Sequence, residues 1–287
     1  MFNNKTFSLI LPAYNEETHI KKNIESFLNT KIFDEVIVVD NNSTDNTEKE
    51  IKKTDTRYIV EKHQGYGAAL KKGMEVSSGD FIVLCEPDST FSSKDMYKFL
   101  AYIEDFDCIF GTRTTKTLIQ KGAKMNFYLR IGNIAVAKYL EYIFFGPTLS
   151  DVGCTYKVIS RSSYNKVKDE LKTVGSEFQP ELMIRLILKK VRILEIPVNY
   201  LQREGRSKIT YSFISSFNLA LKMIYLISIL RIKSILKFWS RIKKIKKEKP
   251  RYLYNPVTND LDNVNATPKR DILDYIDQVK HAHEVLH

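Results

Sequence analysis

The chain is poor in cysteine, and its three cysteines, Cys85, Cys108 and Cys154, are scattered without metal-ligand spacing. That excludes a cysteine-rich metal site and a disulfide framework, and predicts reduced thiols packed as small core residues of a cytosolic protein. Histidine does not fill the gap. His281 and His283 are two apart on a predicted helix, hence on different faces, and His63 reads first as a plain loop residue. Gly65-Tyr66-Gly67 lacks the third glycine of a dinucleotide loop and does not follow the first strand, so a mobile turn feeding a helix is expected there. No internal repeat is present, and the opening Met1-Phe2-Asn3-Asn4-Lys5 runs into a predicted strand rather than a cleavable targeting segment. Acids are almost missing from residues 231–249. There Arg231, Lys233, Lys237, Arg241, Lys243, Lys244, Lys246, Lys247 and Lys249 face Glu248 alone, and they supply most of the net charge of +11. Few aromatics interleave this run beyond Trp239 and Tyr252, which argues against a nucleic-acid partner.

What is present suits a packed α/β protein. The 287 residues are 43% apolar and 11% aromatic, enough for one large domain with appendages or two small ones. Short apolar runs alternate with helical patterns, the signature of a mainly parallel sheet flanked by helices. Strands are expected at 7–11, 36–39, 58–60, 81–85 and 108–110, with a later one carrying Leu194, Ile196, Val198 and Tyr200. Ile20, Ile24, Phe27 and Leu28 share one helical face, as do Met96, Phe99, Leu100 and Ile103. Asp45 with Glu48 reads as a capping box. Residues 127–145 are apolar on most sides and predict a buried helix, and Pro180 suits a first helical position. Around Asn255–Asn265 a polar linker is expected, then an amphipathic helix from Thr267-Pro268 carrying Ile272, Tyr275, Ile276 and Val279.

Polar residues cluster just past strand ends, where open α/β sheets bind ligands. Pro12-Ala13-Tyr14-Asn15-Glu16 closes the first strand, Asp40 the second and Glu86-Pro87-Asp88 the fourth. Such a set suggests a nucleotide pocket with an aromatic wall, an acid for ribose or base, and acids for a metal. Glu86 and Asp88 also read as helix-preceding acids, and Asp151, Glu177 and Glu181 as structural ones.

These pieces, in this order, resemble the family 2 glycosyltransferases of GT-A fold. The resemblance runs on through Gly65–Gly73, Ser78-Gly79-Asp80, Gly111-Thr112-Arg113, Asp151-Val152-Gly153-Cys154-Thr155, Glu177-Phe178-Gln179-Pro180-Glu181 and Arg203-Glu204-Gly205-Arg206-Ser207-Lys208. It covers the first three quarters of the chain and is nearest to the dolichyl- or polyprenyl-phosphate sugar synthases. It implies a nucleoside diphosphate-sugar site built by Pro12, Tyr14, Glu16, Asp40 and Lys71, with Glu86 and Asp88 as ligands of Mg2+ or Mn2+. Glu86 replaces the usual Asp, so Asp88 is the firmer ligand, and Asn41 replaces a second Asp. Arg113 and Arg130 would face an acceptor phosphate, and Arg203, Arg206, Ser207 and Lys208 would form a cationic loop at the mouth.

The implied reaction is inverting transfer from a UDP- or GDP-sugar, with Asp88, Arg113, Arg130 and Asp151 as candidate catalytic residues. A lipid-phosphate acceptor is ionised near neutral pH, its second pKa being about 6, and needs no protein base. A glycan hydroxyl acceptor needs one, with Asp151 the first candidate and Glu177 the second. A rival reading is a non-catalytic adaptor on a decayed transferase domain. In 211–230, Ser215, Asn218, Lys222 and Tyr225 lie opposite Phe213, Phe217, Leu221 and Ile224. Lys222 near a bilayer centre would cost roughly 2.5–3.5 kcal/mol, so an interfacial helix is preferred to a spanning one, or to a soluble core or dimer helix. The basic run then favours an anionic cytoplasmic membrane face. The expected division is a transferase domain at 1–208, membrane-interface helices at 209–240, and a basic tail with linker and helix at 241–287. Self-association into a homo-oligomer is left open.

Overall fold

The computed structural model of the protein describes residues 3–123, 125, 127–203, 213–247, 252–255 and 260–263; of 213–216, 241, 243–247 and the last two segments it describes the backbone alone. The predicted helix carrying Ile272 to Val279, the pair His281 and His283, and the loop residues Arg206, Ser207 and Lys208 lie outside the described residues. The chain divides into two compact units, Met1–Arg231 and Ile232–His287.

The first unit is built on a seven-stranded sheet in the order β3-β2-β1-β4-β6-β5-β7. Its strands are β1 (Phe7–Ala13), β2 (Glu35–Asp40), β3 (Arg57–Val60), β4 (Phe81–Leu84), β5 (Cys108–Thr112), β6 (Lys157–Ser160) and β7 (Ile193–Pro197). The helices are α1 (Ile20–Leu28), α2 (Thr47–Ile51), α3 (Tyr66–Val76), α4 (Met96–Leu100), α5 (Phe127–Phe144), α6 (Arg161–Val167), α7 (Phe178–Leu188) and α8 (Phe213–Lys247). All pairings are parallel except those of β6, which runs antiparallel to both β4 and β5. This is the mixed, mainly parallel α/β sheet that the sequence resemblance implies. Its β6 was not foreseen, because Lys157 breaks the apolar run that marks a buried strand. Lys157 is nonetheless fully buried, its ammonium donating to the Cys154 carbonyl beneath the Phe110 ring.

Strand alternation divides the core in two. Leu9 and Leu11 of β1 pack with Ile20, Ile24 and Phe27 of α1 and Phe99 of α4 on one face. Ile10 points the other way, among Ala69 and Leu70 of α3, Phe178 and Leu182 of α7, and Met223 and Ile227 of α8. Each such side chain buried from water contributes about 1.5–3 kcal/mol. The three cysteines are free and buried in this core, as expected.

Four local expectations are corrected. The capping box is absent: Asp45 accepts the Thr47 and Glu17 N–H groups, while Glu48 turns outward to Lys52. Pro180 is the third residue of α7, still within the first turn, where a missing N–H costs no helix bond. Helix α5 is not buried all round; Phe127, Tyr128, Ile131 and Tyr142 are exposed, and Val136, Ala137, Leu140 and Phe144 form its inner seam. The polar stretch after residue 252 contains a hairpin, β8 (Tyr252–Asn255) and β9 (Asp260–Asn263), in the second unit.

Helix α8 begins in the first unit with three faces rather than two. Met223, Ile227 and Leu230 enter the core, Lys222 is exposed, and Phe217, Leu221 and Ile224 form an exposed apolar stripe. The Tyr139 and Ser228 hydroxyls, 2.8 Å apart, tie α5 to α8. No helix among the described residues is long and apolar enough to cross a membrane.

Candidate active site

The carboxyl ends of β1, β2, β4 and β5 open into one cavity of about 790 Å³. Sharp turns set its rim: Asn15, Asn42 and Ser89 take φ of +52°, +63° and +63°, left-handed values that asparagine tolerates better than most residues. One end is polar, with Tyr14 and Glu16 past β1, Asn41 past β2, Glu86 and Asp88 past β4, and Arg113 past β5. Tyr128, Leu129 and Val136 from α5 and Phe217, Ala220 and Met223 from α8 add an apolar wall.

Two charge clusters define the polar end. Burial and the neighbouring Asp88 push the Glu86 carboxyl up to about 8. Asp88 is itself buried; its Oδ1 accepts the Thr90 N–H at 3.0 Å and the Thr90 hydroxyl, and its Oδ2 lies 3.1 Å from Arg203 Nη2. The same guanidinium lies 3.9 Å from Glu16. Burial opposes the charge on Arg203, and the surrounding Asp88, Glu86 and Glu16 outweigh it. In the second cluster, Asp151 accepts Arg113 Nε at 2.8 Å, Nη2 at 2.9 Å and the Arg113 backbone N–H at 3.1 Å. Gly153 N–H adds a fourth contact at 2.9 Å. Burial alone would raise the Asp151 carboxyl, but the Arg113 guanidinium holds it below its ordinary value. The guanidinium also stacks over the Tyr200 ring, 5.4 Å from its centre.

Among the described residues no group of three or more His, Cys, Asp and Glu is arranged around a metal. The pair Glu86 and Asp88 nevertheless fits a divalent cation. It offers two hard carboxylates, one residue apart, whose crowding costs Glu86 its ready ionisation. A ligand's phosphate oxygens and water would have to complete the shell.

Of the expected site residues, Pro12, Tyr14, Glu16, Glu86, Asp88, Arg113 and Arg203 stand on the cavity wall. Asp40, Lys71 and Arg130 do not. Asp40 turns inward, accepting the Ser43 N–H and hydroxyl on one oxygen and the Tyr58 hydroxyl on the other. Lys71 of α3 and Arg130 of α5 are not among the residues of those helices that line the cavity. Asp151 is enclosed behind Arg113 and is unfit as a general base, and Glu177 stands off the wall at the start of α7. Glu181 is structural, its carboxylate accepting the Lys172 and Thr173 N–H groups.

The structure adds Asn41, Gln64, Tyr66, Thr155, Gln179 and Tyr200 to the wall. Asn41 Nδ2 donates to the Glu61 and His63 carbonyls at 3.0 and 2.9 Å, and Oδ1 accepts the Gly65 N–H at 2.7 Å. The turn expected to be mobile is therefore anchored, and His63 lies off the wall as a plain loop residue. Tyr66 and Gln179 sit inside motifs visible in the sequence, but amides and phenols carry no spacing rule that would single them out.

The profile described as Glycosyl transferase family 2 matches residues 8–168, more than half of the chain. A low-salt glycan biosynthesis hexosyltransferase of Haloferax volcanii is 28% identical over 210 residues, covering 71% of this chain and 50% of that protein. The chain thus spans half the length of this relative. A dolichyl-phosphate hexose transferase of the same organism is 29% identical over 207 residues, covering 70% of this chain and 86% of the relative. In fold, the chain is similar to glucosyl-3-phosphoglycerate synthase of Mycobacterium tuberculosis, solved with Mn2+, UDP-glucose and phosphoglyceric acid. The TM-score is 0.59 at 18% identity, over 79% of this chain and 80% of that one.

Proposed function

The chain belongs to glycosyl transferase family 2, and from that premise we propose that it moves a hexose from a UDP- or GDP-sugar to a polyprenyl or dolichyl phosphate. The work is done at the cytoplasmic face of a membrane. The observation that carries the acceptor is the lock between Arg113 and Asp151. The carboxylate best placed to serve a hydroxyl acceptor is consumed in fixing a guanidinium, and a phosphate acceptor needs no base. The dolichyl-phosphate hexose transferase relative supports the same choice.

In this reading the donor's diphosphate lies against Glu86 and Asp88, which would hold Mg2+ or Mn2+; when bound, the ion offsets the charge of the departing nucleoside diphosphate. Tyr14 and Pro12 line the nucleoside end and Glu16 faces Arg203. Arg113, held by Nε and Nη2, keeps Nη1 for the acceptor phosphate, and Arg203 supplies a second cation. One acceptor oxygen forms its bond to the anomeric carbon as the bond to the diphosphate oxygen breaks, inverting that carbon. The apolar wall from α5 and α8 suits the first units of a prenyl chain. The exposed Phe127, Tyr128 and Ile131 of α5, with Phe217, Leu221 and Ile224 of α8, suit a membrane interface.

The test is to incubate purified protein with nucleotide sugars and Mn2+, with and without polyprenyl phosphate. Glycolipid formation that needs both is the expected result. Transfer to a free glycan hydroxyl with none to the lipid phosphate would overturn the acceptor, and donor binding without any transfer would favour an adaptor.

A further inference from the structure

Gln179 carries one of several buried polar atoms on the cavity wall that have no hydrogen-bond partner. Gln179 is the second residue of α7 and only 2% exposed. Its Nε2 donates to the Tyr66 hydroxyl at 3.0 Å, and its Oε1 is left without a hydrogen bond. A buried acceptor in that state costs about 1–3 kcal/mol until something donates to it.

The sequence goes to some length to bring this amide there. A Cβ at Gly65 would lie 2.4 Å from the Val174 carbonyl oxygen, and one at Gly67 would lie 2.7 Å from Phe178 Cβ. Glycine at both places lets the start of α3 approach the start of α7, and the Ala68 N–H bonds the Val174 carbonyl across the junction at 3.1 Å. Tyr66 and Gln179 meet as a result. This is the physical use of a glycine pair that binds no dinucleotide. Of the charges around it, Glu86 acts most strongly on the Tyr66 hydroxyl. The amide and the two carboxylates line the same cavity.

We propose that Gln179, oriented by Tyr66, is a specificity-determining residue that takes one hydroxyl of the sugar being transferred. This rests on the transferase reading, which puts the diphosphate at Glu86 and Asp88 and hence the attached sugar beside them. The ligand group has to be neutral, because carboxylates adjoin the amide. It also has to serve either end of an amide, since turning the group over exchanges Oε1 and Nε2 at the unpartnered position. A hydroxyl both donates and accepts and meets either case. Thr155 lies on the same wall, within hydrogen-bond reach of the Tyr66 hydroxyl.

The experiment is calorimetric binding with Mn2+, independent of turnover. The probes are UDP, UDP-glucose, UDP-N-acetylglucosamine and GDP-mannose, then each monodeoxy analogue of the tightest nucleotide sugar. In the wild type one deoxy position is expected to weaken binding on the order of tenfold. That same position should make no difference in Gln179→Met, whose affinity for bare nucleotide stays at the wild-type value. A merely structural role cannot produce this cancellation. Tyr66→Phe, which releases the amide without removing it, should relax the discrimination only in part and covers the case of a Gln179 variant that does not fold. Deoxy analogues that all bind like the parent in the wild type, or a deoxy penalty that persists in Gln179→Met, overturn the proposal. So does loss of bare-nucleotide affinity in step with the donor. Tight, hydroxyl-dependent binding with no sugar transferred would leave Gln179 in place and sink the transferase reading instead.

Discussion

Arg113 and Asp151 meet through two parallel N–H to carboxylate bonds, 2.8 and 2.9 Å long, with Asp151 fully buried behind the guanidinium. The acid orients the base of the cavity; it does not face the ligand. Asp151→Asn keeps the shape and removes the charge, leaving Arg113 buried and unpaired, so a stability loss of about 3–5 kcal/mol is expected. Arg113→Lys loses the fork and should raise the KM for lipid phosphate much more than that for the donor. Steady-state kinetics with each substrate varied in turn make the comparison; equal effects on both constants would mean that Arg113 serves the fold alone.

Asp88 should be indispensable for transfer without being needed for folding. Asp88→Asn keeps an acceptor for Thr90 but halves the carboxylate set. A fall in kcat on the order of 10²–10³ is expected, with a thermal midpoint near that of the wild type. Chelator should abolish wild-type activity, and full turnover in excess chelator would sink the metal assignment.

Asn41 is expected to resist replacement by aspartate. Its amide nitrogen donates to two carbonyls, Glu61 and His63, which a carboxylate would repel. Asn41→Asp should lose about 2–4 kcal/mol and raise the donor KM, because Gln64 and Tyr66 ride on the anchored turn. Denaturant unfolding and donor kinetics together check it, and an unchanged variant would mean that the turn holds itself.

Lys157 gives the fold a pH dependence. Burial drives its ammonium down to about 8 from an ordinary 10.5. Between those values the unfolded chain binds the extra proton, so stability rises with pH from about 8 and the penalty is fully present below it. The shift corresponds to roughly 3 kcal/mol. Lys157→Met should therefore be more stable than the wild type at pH 7, by less than that amount because the Cys154 carbonyl loses its donor. Its advantage should shrink toward pH 10. Melting both proteins from pH 7 to 10 tests this, and a difference that does not vary with pH would contradict it.

The exposed stripe of α8 predicts binding to a surface rather than insertion. Phe217→Glu with Leu221→Glu should release the protein from anionic vesicles while the core contacts of Met223, Ile227 and Leu230 stay intact. Cosedimentation is the readout, and undiminished binding would place the attachment elsewhere. Truncation before α8 is the poorer test, since those three residues belong to the core of the first unit.

Much of the architecture is written locally. Apolar runs at β1, β2 and β4 are buried on both faces, so they stand out as continuous, and the residues that follow them fall at one edge of the sheet by topology alone. Pro12, Glu16, Glu86 and Asp88 were legible for that reason. Strand β6 was hidden by Lys157, whose burial depends on a carbonyl three residues before it and on an aromatic ring from β5. Asp40 and Asn41 show how narrow the margin is. They are consecutive, the last residue of β2 and the first past it, and it is Asn41 that reaches the cavity while Asp40 is spent on Ser43 and Tyr58.

The sequence by itself determined the class of fold, the family, and the strand ends at which chemistry gathers, because periodicity and short motifs are properties of neighbouring residues. Tertiary structure decided which side chains face the cavity and what each is free to do. Asp151 is a plausible base until Arg113, just past β5, folds over it, and Lys71 and Arg130 are plausible ligands until their helices pack with other faces inward. Gln179 is an ordinary helix residue until two glycines bring Tyr66 against it. Charge and hydrogen-bonding capacity reside in the residue, but availability depends on partners distant in the chain, and only the packed molecule supplies them.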